Sequence, residues 1–191
     1  MNAIWQLWDK GLPNELCDEI ITESERYKIH DATVGSDNVG AKLNNEVRSS
    51  TIRWVDPTVA SSKFIHNLLF DFATQANRNA FGFNITSLHQ IQYTIYEGEQ
   101  QDFYNWHFDT FWANSGQYDR KVSLTVQLSH PEDYEGGEFQ LDSQYIQPDS
   151  VQLKNRGTVL AFPSVIQHRV LPVTKGVRKS LVAWVEGPKF R

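Results

Sequence analysis

Three residues in this sequence have the types and spacing to hold one metal ion. His107 and Asp109 stand two apart, and on a strand residues at that spacing project from the same face, so an imidazole and a carboxylate can share one ion. Two ligands rarely hold a divalent ion tightly. His168 is the best third candidate, because it opens a β-rich run after residues 162–167, where a strand end can bring it beside the first pair. A lone His-x-Asp is a weak signal, and ordinary strand or loop residues are its commoner meaning. His30, His66, His89 and His130 are read as structural or solvated.

Two imidazoles and one carboxylate on one side of a metal leave the opposite positions open, which is the arrangement of non-haem Fe(II) oxygenases. An oxygenase of this type that uses a 2-oxo acid must chelate iron with the oxo-acid end and also hold a remote carboxylate. Arg178, ten residues beyond His168, with Ser180 on the same strand face, suits that second task through bidentate, charge-assisted hydrogen bonds. Taken alone, Arg178 after a Lys-Gly turn reads as a solvated surface arginine.

The elements that must position these residues follow from periodicity. Leu12 and Pro13 precede apolar Leu16, Ile20 and Ile21, which predicts a helix over about 13–27. Asp56 and Pro57 precede a stripe of Phe64, Ile65, Leu68, Leu69, Phe72, Ala73 and Ala76, which predicts a second helix from the Asp56 cap to about residue 79. Residues 30–50 are rich in Gly, Asn and Ser and read as a loop or weak hairpin. From residue 85 the period changes to two. Ile91, Tyr93 and Ile95 alternate with polar neighbours, as do Val122, Leu124, Val126 and Leu128. Shorter β-rich runs at 138–141, 158–162, 168–173 and 180–185 are separated by turn signals at Gly136 and Gly137, Pro148, Gly157, and Lys175 and Gly176. Helices first and strands afterwards predict an α+β domain whose β-part is a sandwich or jelly roll, with the N-terminal helices packed on one sheet. The segment 134–138 reads as a tight turn entering a strand.

Composition bounds the rest. With 191 residues, the chain is expected to form a single domain, residues 1–191, with a helical part over about 1–82 and a β core over about 85–188. Its lone cysteine, Cys17, excludes an intrachain disulfide and any cysteine-rich metal site. Cys17 lies on the apolar face of the first predicted helix and reads as a small buried hydrophobe. The formal charge of −5, with no basic cluster, argues against nucleic acid as a partner. No apolar run reaches the length of a membrane helix, and the first nine residues lack the pattern of a signal peptide. The expectation is a soluble, intracellular, cytoplasmic protein without a membrane partner.

The order of residues resembles a known family. Tyr96 to Gly98, Tyr104 to Asp109, Tyr134 to Phe139, and His168 through Gly176, Arg178 and Ser180 to Trp184 together resemble the Fe(II)/2-oxoglutarate-dependent dioxygenases of the prolyl 4-hydroxylase type. The stretch from His168 to Trp184 is most similar to hydroxylases of the PKHD kind. The resemblance covers 85–188 and extends loosely to 47–54. It implies a double-stranded β-helix, or jelly roll, with Fe(II) on His107, Asp109 and His168. Arg178 would bind the distal carboxylate of 2-oxoglutarate, assisted by Ser180 and by Tyr96, with Tyr104 as the competing tyrosine. The family often has a further tyrosine where this chain has Gln127, so Gln127 is a candidate co-substrate residue.

The implied reaction couples decarboxylation of 2-oxoglutarate with O2, giving succinate and CO2, to hydroxylation of a C–H bond, with ascorbate as a candidate reductant. The implied substrate is a prolyl or other peptidyl or amino-acid residue. Arg48, Arg53, Trp54 and the 30–50 loop are candidate substrate-side groups. Trp106, Phe108, Phe111, Trp112 and Trp184 are candidate pocket walls, with core packing the favoured reading for most of them. Two rivals remain. A cupin-like metal-binding module would make Arg178 incidental, and a Zn2+ hydrolase would need a general base that no nearby motif supplies.

Overall fold

The computed structural model describes residues 4–33, 46–112 and 116–190. Its strands are β1 (Gln6–Trp8), β2 (Ile29–Asp31), β3 (Arg48–Ser49), β4 (Thr51–Val55), β5 (Ser87–Glu97), β6 (Phe103–His107), β7 (Tyr118–Gln127), β8 (Tyr134–Gly136), β9 (Phe139–Leu141), β10 (Val159–Pro163), β11 (His168–Val170) and β12 (Val173–Pro188). Its α-helices are α1 (Asn14–Ser24), α2 (Lys63–Ala76) and α3 (Ser150–Lys154).

Two antiparallel sheets form. The larger runs β1-β10-β7-β12-β5-β4-β2, with β8 joined to the far end of β12, and the smaller runs β3-β6-β11-β9. This is the expected jelly-roll architecture with helices on one sheet. The alternation in β5 and β7 explains it. Ile91, Tyr93, Leu124 and Val126 are buried on one face of the large sheet together with Ile65, Leu69, Ala73 and Ala76 of α2 and Cys17 and Ile20 of α1. The opposite face of the large sheet looks toward the small one.

Several expectations shift. The second helix begins at Lys63 rather than at Asp56. The Asp56 carboxylate instead accepts bonds from the Thr58 amide at 2.8 Å and hydroxyl at 2.7 Å, closing a local turn, and a short 3-10 segment, Ala60–Ser62, leads into α2. Apolar periodicity begins only at Phe64, so nothing holds residues 57–59 in a helix. A π-helical turn, Asn77–Phe81, ends it. The first helix stops at Ser24, short of 27.

The first 82 residues also carry β1 to β4, which complete both sheets: β1 pairs β10, β2 pairs β4, β3 pairs β6, and β4 pairs β5. Within the stretch read as a loop, Ile29–Asp31 and Arg48–Ser49 are strands, and residues 34–45 lie outside the described residues. Lys175 and Gly176, read as a turn, lie inside β12, where Gly176 has φ +69°. Among the described residues no helix is long and apolar enough to cross a membrane.

Candidate metal centre

His107 ends β6 and His168 begins β11, and the two are direct register partners. Asp109 lies just past the strand rather than on it. Its amide and that of Thr110 both donate to the Ser164 carbonyl at 3.1 Å, which turns the carboxylate back toward the imidazoles. His107, Asp109 and His168 thus present ligand atoms that all lie within 4.8 Å of one another. The Nε2 atoms of His107 and His168 stand 3.7 and 3.5 Å from the two Asp109 oxygens.

The geometry around these groups sets their protonation. His107 Nδ1 donates to the Asn105 carbonyl at 2.8 Å and His168 Nδ1 to the Ile166 carbonyl at 2.9 Å. A carbonyl only accepts, so the proton of each neutral ring is on Nδ1 and the Nε2 lone pair faces the cluster, as a metal ligand requires. Burial, with the neighbouring His168, holds His107 down to about 3 and therefore neutral. Burial works against the Asp109 charge, but the Arg120 charge and a 2.6 Å bond from the Ser123 hydroxyl hold its carboxyl below the ordinary range. Ser123 is fixed in turn by Ser164, 2.8 Å away. A carboxylate and two imidazoles that turn Nε2 toward it, each oriented by a second group, fit a divalent iron.

The cluster opens into a cavity of about 440 Å3, counted with its mouth, between the two sheets. Arg178, Ser180, Tyr96, Tyr104, Arg48 and Trp184 all line it, beside Gln92, Thr125, Phe139 and Phe162. Arg178 is 4% exposed and faces Tyr96 across the β12–β5 ladder, its guanidinium carbon 5.5 Å from the Tyr96 ring centre. Tyr104 stacks on His107 at 3.4 Å between ring centres, and burial pushes its hydroxyl up to about 12.

Not every candidate arrives there. Gln127 pairs with Ser180 in register but does not line the cavity, and its side-chain amide donates to the Ser129 carbonyl at 3.1 Å. Arg53 donates to the Tyr27 carbonyl on the β2 side of the sheet. Trp54 is 38% exposed and is not among the residues that line the cavity; its ring centre lies 6.3 Å from that of Trp184. Of the aromatic candidates, Trp184 alone is a wall. Phe108, Phe111 and Trp112 are exposed, so they fit neither the wall nor the core reading, and Trp106 lies under Arg169. Phe139 and Phe162 form the aromatic wall against His168 instead. Ser123, Ser164, Gln92 and Thr125 were not anticipated. For Ser123 and Thr125 the signal is the polar face they share with Gln127 on β7, which carries no sign of the second sheet that covers it.

A jelly roll with a His-Asp-His cluster at its open end and a buried arginine in the same cavity defines a class of metal-dependent β-domains. The sequence profile of the 2OG-Fe(II) oxygenase superfamily matches residues 91–186. A PKHD-type hydroxylase of Gloeothece citriformis is 29% identical over 145 residues, 76% of this chain and 60% of that protein. The corresponding figures for one of a Synechococcus species are 29% over 182 residues, 95% and 76%. A crystal structure of a Pseudomonas putida prolyl-4-hydroxylase superposes with a TM-score of 0.72 at 20% identity, covering 98% of this chain and 94% of that one. The chain belongs to the 2OG-Fe(II) oxygenase superfamily, an enzyme family whose reagents are Fe(II), 2-oxoglutarate and O2.

Proposed function

We propose that this protein hydroxylates a C–H bond of a peptidyl or amino-acid substrate, with Fe(II) held by His107, Asp109 and His168 and 2-oxoglutarate held by Arg178. The observation that carries this reading is Arg178 itself. It is buried in the cavity wall, and no side-chain hydrogen bond or ion pair to it occurs among the described residues. A buried guanidinium with no direct side-chain partner is costly, so a site that keeps one is built for an anionic ligand. A cupin-like metal module has no use for it.

The bound iron and O2 would supply the oxidising chemistry, with 2-oxoglutarate leaving as succinate and CO2. The chain's own part is placement. Arg178 and the Ser180 hydroxyl grip the distal carboxylate by charge-assisted bonds. Tyr96 is the tyrosine that assists, because it stands beside Arg178, whereas Tyr104 is stacked on His107. Ser123 and the Ser164 carbonyl fix the carboxylate ligand, and Phe139 and Phe162 keep the His168 side apolar. Proline stands first among target residues because the P. putida structure is named a prolyl-4-hydroxylase.

Mixing protein, Fe(II) and 2-oxoglutarate without oxygen is expected to give a visible charge-transfer band, and admitting O2 to release succinate. His107→Ala is expected to abolish both, and Arg178→Gln to keep iron but lose 2-oxoglutarate affinity. Absence of band and succinate from folded, iron-loaded protein would overturn the reading.

A further inference from the structure

Resting on the proposed co-substrate site, the inference concerns the second buried cation of the same cavity. Arg48 is 5% exposed and lines the cavity from β3, across from Arg178 on β12. Its Nε donates to the Ser50 hydroxyl at 2.9 Å and one terminal nitrogen to the Gln92 side-chain carbonyl at 2.7 Å. Its guanidinium carbon lies 4.4 Å over the Tyr104 ring. Every one of these partners is neutral, and no carboxylate pairs with it among the described residues. Such contacts fix the guanidinium plane while leaving its charge uncompensated, and a buried charge left so is expensive.

The charges of the loaded cavity do not balance without a further anion. Two guanidiniums and a ferrous ion face one carboxylate, Asp109, and the 2-oxoglutarate dianion, which leaves one positive charge. Glu138, the acidic group near Arg178, is already engaged by Lys154 at 2.7 Å. Beside the cavity, the Arg120 guanidinium carbon lies 3.9 Å from the ring centre of Trp184. The Trp184 indole N–H is buried without an acceptor among the described residues, and Trp184 lines the same cavity. The wall therefore offers donors and positive charge beyond what iron and 2-oxoglutarate consume.

We propose that Arg48 is the specificity-determining residue for a carboxylate on the substrate, so that the enzyme acts on an acid and discriminates against the corresponding amide. The carboxylate could be the α-carboxylate of an amino acid or an acidic side chain, and both meet Arg48 through the same charge-assisted bonds.

The test is calorimetric and needs no turnover. Protein loaded with Mn(II) and 2-oxoglutarate is titrated with N-acetyl derivatives of the amino acids as free acids and as amides, with the acidic residues supplied also as α-amides. At least one acid is expected to bind on the order of tenfold more tightly than its amide. Preference for acids blocked only at the side chain assigns the α-carboxylate, and preference for α-amides of aspartate or glutamate assigns the side chain. Arg48→Gln is expected to equalise acid and amide while leaving 2-oxoglutarate affinity within about twofold, and Arg48→Lys to keep the preference. Binding of 2-oxoglutarate by Arg48→Gln reports its folding. No acid preferred over its amide by the wild type, or a preference surviving Arg48→Gln, would overturn the proposal while the co-substrate reading stands. Wild-type protein that binds metal but not 2-oxoglutarate would remove the reading beneath it, and the proposal with it.

Discussion

Asp109 depends on more of its surroundings than either histidine. The imidazoles are held by strand ends and one carbonyl bond each. The carboxylate sits off the strand and takes its direction from the Ser164 carbonyl and the Ser123 hydroxyl. Groups that orient a ligand commonly contribute 10–100-fold to metal affinity. Ser123→Ala is therefore expected to weaken Fe(II) or Mn(II) binding by roughly 10–100-fold in competition with a chelator. Without metal the variant should also unfold at a somewhat lower temperature, because the lost hydroxyl leaves the buried Asp109 carboxylate and the Ser164 hydroxyl one partner short. Unchanged metal affinity would mean that backbone geometry alone orients Asp109. That His107, Asp109 and His168 could share one ion, and that Arg178 is a candidate for an anion, was legible in the sequence because their side chains are the chemistry. Ser123 and Gln92 were not, because a neutral polar residue on a strand carries no sign of what covers it.

Among the elements, the β8–β9 turn has the closest bearing on the co-substrate. Gly137 has φ +65°, and a Cβ there would lie 2.8 Å from Val173 Cγ2 and 3.0 Å from Arg178 Cδ. Gly82, at φ +69°, has nothing within 4 Å of such an atom. Both alanine variants are expected to lose about 1–2 kcal/mol from the left-handed backbone. Only Gly137→Ala should also weaken 2-oxoglutarate binding, because it alone displaces the arginine stem, and equal affinities in the two variants would refute that link. The turn itself was legible from its paired glycines, whereas Gly176 misled, since a glycine within a strand marks a close approach as readily as a turn. Its Cβ would fall 1.9 Å from the Asp133 carbonyl oxygen.

The end of α1 has its own test. Glu25 accepts from Lys179 at 2.9 Å and from Tyr93 at 3.1 Å, and the Lys179 bond chiefly holds its carboxyl below its ordinary value of 4.5. A depressed carboxyl stabilises the fold above its unfolded pKa, and that contribution is lost as pH falls through the folded value. Melting temperature measured from about pH 6 down to pH 3 should fall less steeply in Glu25→Gln than in the wild type. An identical acid limb would show that the contact contributes nothing measurable.

Across the whole molecule, the β-rich C-terminal half was legible because β5 and β7 are long enough to show a period of two, and α2 because its apolar stripe is wide. The short strands β1 and β3 are two or three residues each, too short to carry a period, and their pairing with β10 and β6 joins segments far apart in sequence. The same distance makes the metal a structural tie. Both histidines belong to the small sheet, while Asp109 is held by Ser123 of β7 in the large one. An ion bound at all three ligands bridges the sheets and stabilises only the folded state. At a hundredfold excess over its dissociation constant it should add about 2.7 kcal/mol, which for a chain of this size raises the melting temperature by roughly 5–11 °C. Removing the ion with a chelator should reverse the rise, and Asp109→Ala should lose it. A shift of the same size in Asp109→Ala would place the stabilising ion elsewhere on the protein.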